Sequence, residues 1–165
     1  MQYSHLYIGI LIGLTGLFLL SLGNGVWDRP AAYDSWNYQM FVGVCHQLPE
    51  RSFTINGVPM AVNARCFGIF TALLAGWILM PAILRSGCNF RAAGTVLTLA
   101  VLIQIGDYMA GQFTVWNSSN FSRFLMGAIL GAGFVYMVAD QFRGQNNNQS
   151  KTQDYGSDRN KLHHR

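Results

Sequence analysis

Four long apolar blocks, separated by short polar connections and one long polar loop, dominate this chain. The first runs from Leu6 to Leu22 and is broken only by Thr15 and Ser21, close to the ~20 residues that cross a bilayer as a helix. The second covers Phe67 to Leu84, the third Ala92 to Ala110 with Gln104 and Asp107 inside it, and the fourth Phe124 to Phe142. Glycines at helical spacing (Gly9, Gly13 and Gly16 in the first block, Gly127, Gly131 and Gly133 in the fourth) predict small-residue faces for close helix packing. No Lys or Arg precedes the first block, which is longer than the ~7–15 apolar residues of a signal-peptide core, so it reads as an uncleaved helix. From Arg143 onward the chain is rich in Asn, Gln, Ser, Asp and Lys with no apolar face, the composition of a disordered segment. The pattern predicts a polytopic membrane domain over 1–142 and a disordered cytoplasmic tail over 143–165.

The long loop between the first two blocks has its own pattern. Tyr33, Trp36, Met40, Phe41 and Val44 form a helical stripe over 32–44, and its aromatics suit a short helix lying at the membrane interface. Pro49 marks an end, since proline disfavours helix at the residue before it. Asn56-Gly57 then predicts a hairpin, because both central positions of a type I′ turn need positive φ. With Ile55 opposite Val58, the extended register sets Arg51 opposite Val62 and Gln47 opposite Cys66, and brings Cys45 close to Cys66 on one face. Pro59 keeps such a ladder short.

Composition agrees with the blocks: 51% of the 165 residues are apolar and 11% are charged, against about 25% charged in ordinary soluble domains. The net charge of +4 comes from cations scattered at block edges, not clustered as a nucleic-acid surface requires. Four crossings put both termini on one side, and the Arg85–Arg91 connection with the basic tail makes that side cytoplasmic by the positive-inside rule. The fold class is all-α membrane protein: four transmembrane helices with a short extracytoplasmic interfacial helix and β-hairpin. A bacterial inner membrane is the expected location, with the lipid bilayer as partner and room for a homo-oligomer or a membrane-protein partner.

Three sets of residues could carry chemistry on the predicted outer side. Cys45, His46 and Cys66 offer sulfur and imidazole ligands for zinc, copper or iron, with Asp107 as a fourth ligand or proton acceptor. The same two cysteines could instead form a structural disulfide, or exchange thiols as a membrane oxidoreductase. Asp107, a carboxylate inside a predicted span, calls for a partner, and Arg123 is the expected counter-ion. Arg51, Arg65 and Arg123 could hold an anionic ligand bidentately. Asn120 completes the ligand-binding set and is placed to cap the fourth helix. Cys88 reads as a free thiol, and His5, His163 and His164 are terminal. No phosphate loop, nucleophile elbow or dinucleotide fingerprint is present.

The run CHQLPERSF, then Gly57, then ARCFGIF resembles the signature of the domain-of-unknown-function 2085 family of small polytopic membrane proteins, CHQ-x-P-x-RSF followed by a glycine and C-x-RC-x-G-x-Y. The later stretch GDYMAGQ to NSSNFSRFLMGAILG resembles its second block, with Asp107, Asn120, Arg123 and Gly127 at matching places. Two positions depart from the pattern: Asn63 stands where the family usually has cysteine, and Phe70 where it has tyrosine. The resemblance implies a common site without naming a reaction. Asn63 removes one thiolate from a Cys/His/Cys/Cys set, leaving Cys45, His46 and Cys66.

Overall fold

The computed structural model describes residues 4–27, 35–85, 90–112, 119–139 and 141. The expected disordered tail, the free thiol Cys88, Tyr33 of the stripe and most of the polar loop before Ser119 lie outside these residues. The described chain is mostly helical, with five helices and one two-stranded sheet. Its helices are α1 (Ser4–Ser21), α2 (Trp36–Gln39), α3 (Ala64–Arg85), α4 (Phe90–Gln112) and α5 (Asn120–Ala139). Two of them, α3 and α5, are long and apolar enough to cross a bilayer; the apolar parts of α1 and α4 are shorter, His5–Ser21 and Gly94–Asp107. Ile12, Leu19, Ile78, Leu99, Leu102 and Ile129 all lie exposed along these helices. So much outward apolar surface suits a hydrocarbon solvent and not water.

Glycine decides how α3 and α5 meet. A side chain on Gly68 would collide with the Phe124 carbonyl, and one on Gly127 with the Arg65 carbonyl. Farther along, a methyl on Gly131 would stand 2.7 Å from the Ile69 carbonyl, and one on Gly76 would meet Val135 at 2.9 Å. The expected small-residue face of the fourth block is therefore real. That of the first is not used among the described residues: Gly9, Gly13 and Gly16 have nothing of theirs within 4 Å. Instead α1 packs through Tyr7, Ile10, Leu11 and Leu14 against the cluster of Trp77, Met80, Val135 and Ala139.

A proline explains the polar part of that contact. Pro81 lies inside α3 and has no N–H to give to the carbonyl four residues back, that of Trp77. The Tyr7 hydroxyl donates to that carbonyl at 3.1 Å, Trp77 Nε1 donates to the Tyr7 carbonyl at 3.1 Å, and the two rings stack at 5.7 Å. In hydrocarbon an orphan carbonyl has no water to turn to, so the pair is a lock and a repair at once.

Residues 22–27 and 35–63 knit a cap over one end of the bundle. Strands β1 (Thr54–Ile55) and β2 (Val58–Pro59) pair in the expected register, Ile55 with Val58, around Asn56 at φ 51° and Gly57 at φ 77°. The Asn56 side chain donates to the Gly25 carbonyl at 3.1 Å. Beyond Thr54 and Pro59 the regular ladder stops, and Pro49–Arg51 forms a 3-10 turn, so the extrapolated pairing of Gln47 with Cys66 does not form.

The predicted stripe at 32–44 also changes. Helix α2 is only four residues long, and Phe41 turns inward (3% exposed) while Trp36, Met40 and Val44 face outward at 68%, 55% and 72%. Asn37 and Tyr38 are buried in their place. Asn24, Ser35 and Asn37 close a ring of hydrogen bonds of 2.7–3.3 Å, and the Tyr38 hydroxyl donates to the Pro59 carbonyl at 2.6 Å. Satisfied polar groups point in and apolar ones out, the reverse of a water-facing loop helix.

Two outcomes test this packing. Tyr7→Phe should cost about 1 kcal/mol, the scale of one unmade hydrogen bond, and much less in a Pro81→Ala background, where the replacement residue supplies the missing amide; a double-mutant cycle on detergent-unfolding midpoints measures the coupling. Gly127→Leu should destabilise by about 1–3 kcal/mol or more through overpacking, whereas Gly9→Leu leaves the midpoint unchanged in the same assay.

Candidate functional site

The N-terminus of α3 organises the site. Asn63 precedes the helix, and its carbonyl accepts the Phe67 amide at 3.0 Å. Its own amide donates outward, to Cys45 Sγ at 3.2 Å. Cys66, within the first turn, and the Gln47 backbone lie beside the same sulfur and favour its charged form. Cys45 is buried and Cys66 half-buried, both as free thiols. One sulfur thus has a main-chain N–H group and a second thiol against it at the positive end of a helix, a setting that favours thiolate. The Cys45 thiol is pulled from 9.0 to about 6: the hydrogen bond from Cys66 is the largest cause, burial opposes it, and the Asn63 and Gln47 amides and the His46 charge add to the lowering.

Gln47 holds this geometry. Its backbone has φ 49°, a left-handed conformation rare outside glycine, and its Nε2 donates to the carbonyls of Tyr38 at 2.7 Å and Ala61 at 2.8 Å. The side chain straps the segment before the hairpin to the segment after it, so Cys45 and Cys66 meet by a route other than the extended register. Around them pack Tyr38, Phe41, Val62, Phe67 and Phe70, with the rings of Phe41 and Phe70 5.9 Å apart. Ser52 lies buried within reach of the Leu48 carbonyl at 3.0 Å and Asn63 Oδ1 at 3.2 Å.

The other expected ligands are placed differently. His46 is exposed, because the tight backbone at Gln47 leaves Cys45 facing in and its neighbour facing out. Asp107 forms an ion pair with Arg65, not with Arg123 as the sequence suggested. The four candidate ligands Cys45, His46, Cys66 and Asp107 do not converge: among the described residues no group of three or more His, Cys, Asp or Glu is placed to hold a metal ion. Arg123 Nη1 donates to Asn120 Oδ1 at 3.1 Å, and Asn120 Nδ2 to the Ser52 carbonyl at 3.0 Å. Asn120 therefore joins α5 to the cap and does not cap the helix. Ser119 does that, its hydroxyl oxygen accepting the Ser122 amide at 3.2 Å, which is why α5 starts before the expected Phe124.

Sequence reasoning missed Gln47, Ser52 and Tyr38, and with them the amide on Cys45. Gln47 stood within the run CHQLPERSF, but nothing in its residue type announces a left-handed backbone.

The family model of DUF2085, described as a predicted membrane protein, matches residues 45–137, more than half of the chain. The chain belongs to the DUF2085 family. A relative, the uncharacterized protein MJ1492 of Methanocaldococcus jannaschii, is 36% identical over 106 residues, 64% of this chain and 67% of its own. No solved structure matches. The DUF2085 match begins at Cys45 itself and takes in Cys66, Asp107, Asn120 and Arg123, while α1 lies outside it. Asn63, standing at the position for which the sequence resemblance implies a cysteine, lies directly beside Cys45 at the site's edge.

The lowered Cys45 thiol has a pH signature. A group whose pKa falls on folding adds stability that is fully present above its unfolded value and is lost as pH drops through the folded one. The thermal midpoint should therefore rise between pH 6 and 9 and the rise should flatten in Cys45→Ser, with thiolate absorbance at 240 nm appearing over a midpoint near 6 in the wild type only.

Proposed function

We propose that this DUF2085 protein carries a dithiol–disulfide exchange site at the outer end of a membrane bundle. The observation behind this reading is the buried Cys45 sulfur, which accepts the Asn63 amide at 3.2 Å with a second free thiol, Cys66, packed beside it. Cys45 as thiolate attacks one sulfur of a disulfide-bearing reactant; that S–S bond breaks, and its second sulfur leaves as a thiolate that takes up a proton. Cys66 then gives up its proton and attacks Cys45 Sγ, closing the Cys45–Cys66 bond and expelling the first reactant sulfur. Two electrons pass from the dithiol to the reactant, which leaves as two thiols. The reverse sequence oxidises a dithiol. Cys66, the less buried of the pair, is the side from which a reactant sulfur approaches.

The membrane setting belongs to the same reading. With 18 residues in α1 and 23 in α4, these helices reach ~27 Å and ~35 Å, comparable to a hydrocarbon core of about 30 Å. On this reading four crossings, with the positive-inside rule, put both termini on the cytoplasmic side of a bacterial inner membrane and the cap outside. The outward Trp36, Met40 and Val44 support an α2 lying in the interface, beside acyl chains. The metal alternative keeps two of its four ligands, Cys45 and Cys66, since Asp107 is engaged by Arg65 and His46 lies exposed.

Thiol counting by mass spectrometry tests this. In a Cys88→Ser background, glutathione disulfide should convert Cys45 and Cys66 to an intramolecular disulfide, and Cys66→Ser should instead accumulate a mixed disulfide on Cys45. Two thiols that stay reduced would sink the redox reading. Stoichiometric zinc, copper or iron in the purified protein, lost in Cys45→Ser and Cys66→Ser, would replace it with a metal site.

A further inference from the structure

A second cluster lies at the same end of the bundle, on the α4–α5 side of α3. Arg65 gives Nη2 to Oδ2 of Asp107, whose side chain is 5% exposed, while the Arg65 side chain keeps 29% exposure. The buried Nε of the same guanidinium meets no acceptor among the described residues. The Arg65 carbonyl presses on Gly127, one turn along α5 from Arg123, so the two arginines are neighbours. Asn120 connects Arg123 to the Ser52 carbonyl, which brings the exposed Arg51 to the same edge. Arg123 lies within electrostatic reach of Arg51 and Arg65, and of the acids Asp107 and Glu50.

Three guanidiniums thus share one edge with two carboxylates, and the buried one, Asp107, accepts through a single oxygen. We propose that Arg51, Arg65 and Arg123 form a binding site for an oxyanion of the phosphate class, a monoester or diester. A tetrahedral anion can accept from several guanidinium forks at once, and Arg matches phosphate oxygens bidentately. The N-terminus of α5, a helix of 20 residues capped by Ser119, adds its positive end beside Arg123. This site shares no side chain with the thiol pair, so either reading can fail alone.

The full chain in a maltoside detergent, which carries no phosphate, is titrated with inorganic phosphate and separately with phosphatidylglycerol in mixed micelles, with diacylglycerol as the uncharged control. Thermal midpoint and bound adducts by native mass spectrometry are read together. A saturable rise with one adduct is expected, with apparent affinity falling at least about tenfold in Arg51→Gln and in Arg123→Gln, the effect of losing one charged hydrogen-bond donor. Arg85→Gln, at the other end of α3, should bind as the wild type does. Arg65→Gln would also strip Asp107 of its partner, which is why the two other variants carry the test. Response to inorganic phosphate identifies a free-anion site, and response to phosphatidylglycerol alone a headgroup site. No saturable response to either, or one that survives Arg51→Gln with Arg123→Gln, overturns the proposal.

Discussion

The close approach of α3 and α5 sets the position of everything at the capped end of this molecule. Gly68 and Gly127 let each helix rest on the other's backbone carbonyls, so the first turns of both sit side by side. That contact fixes Arg65 next to Arg123 and leaves Cys66 facing the cap. In a bilayer there is little hydrophobic gain in bringing helices together, since lipid tails are as apolar as leucine, and close backbone packing has to supply the attraction. A bulky residue at either glycine would separate the two functional clusters from their shared support.

The cap meets a related demand by a different means. Its irregular backbone carries polar groups that are costly to bury unpaired, and side chains take them up: Gln47 takes two carbonyls, Tyr38 one, and Asn24, Ser35 and Asn37 satisfy one another. With its polar groups turned in, the segment can show Trp36, Met40 and Val44 to its surroundings. The chemistry of Cys45 is a by-product of this arrangement, because an amide left over at a loop end points at its sulfur.

Much of this was legible in the chain. Apolar periodicity located the long helices, Asn56-Gly57 specified the turn and register, and the cysteine-containing run named the residues of the candidate site. The ion pair of Asp107 was anticipated but assigned to Arg123, because spacing along the sequence says which groups share an end of a bundle but not which guanidinium reaches. The stripe at 32–44 was legible in part: Phe41 turns inward while Trp36, Met40 and Val44 stay exposed, because apolar periodicity marks a face without saying which of its residues the chain covers. The glycines of α1 look like those of α5, yet only the latter have a backbone against them.

The main-chain donor on Cys45 has a consequence for sequence drift. Exchanging the side chain at 63, cysteine for asparagine or the reverse, leaves the amide of that residue where it was, still 3.2 Å from the sulfur. Alanine scanning through 47 and 63 would likewise leave both N–H groups in the chain. Only proline, which has no N–H, deletes such a donor outright. The electrostatic setting of Cys45 is thus inherited with the fold and is largely silent in the alphabet of side chains.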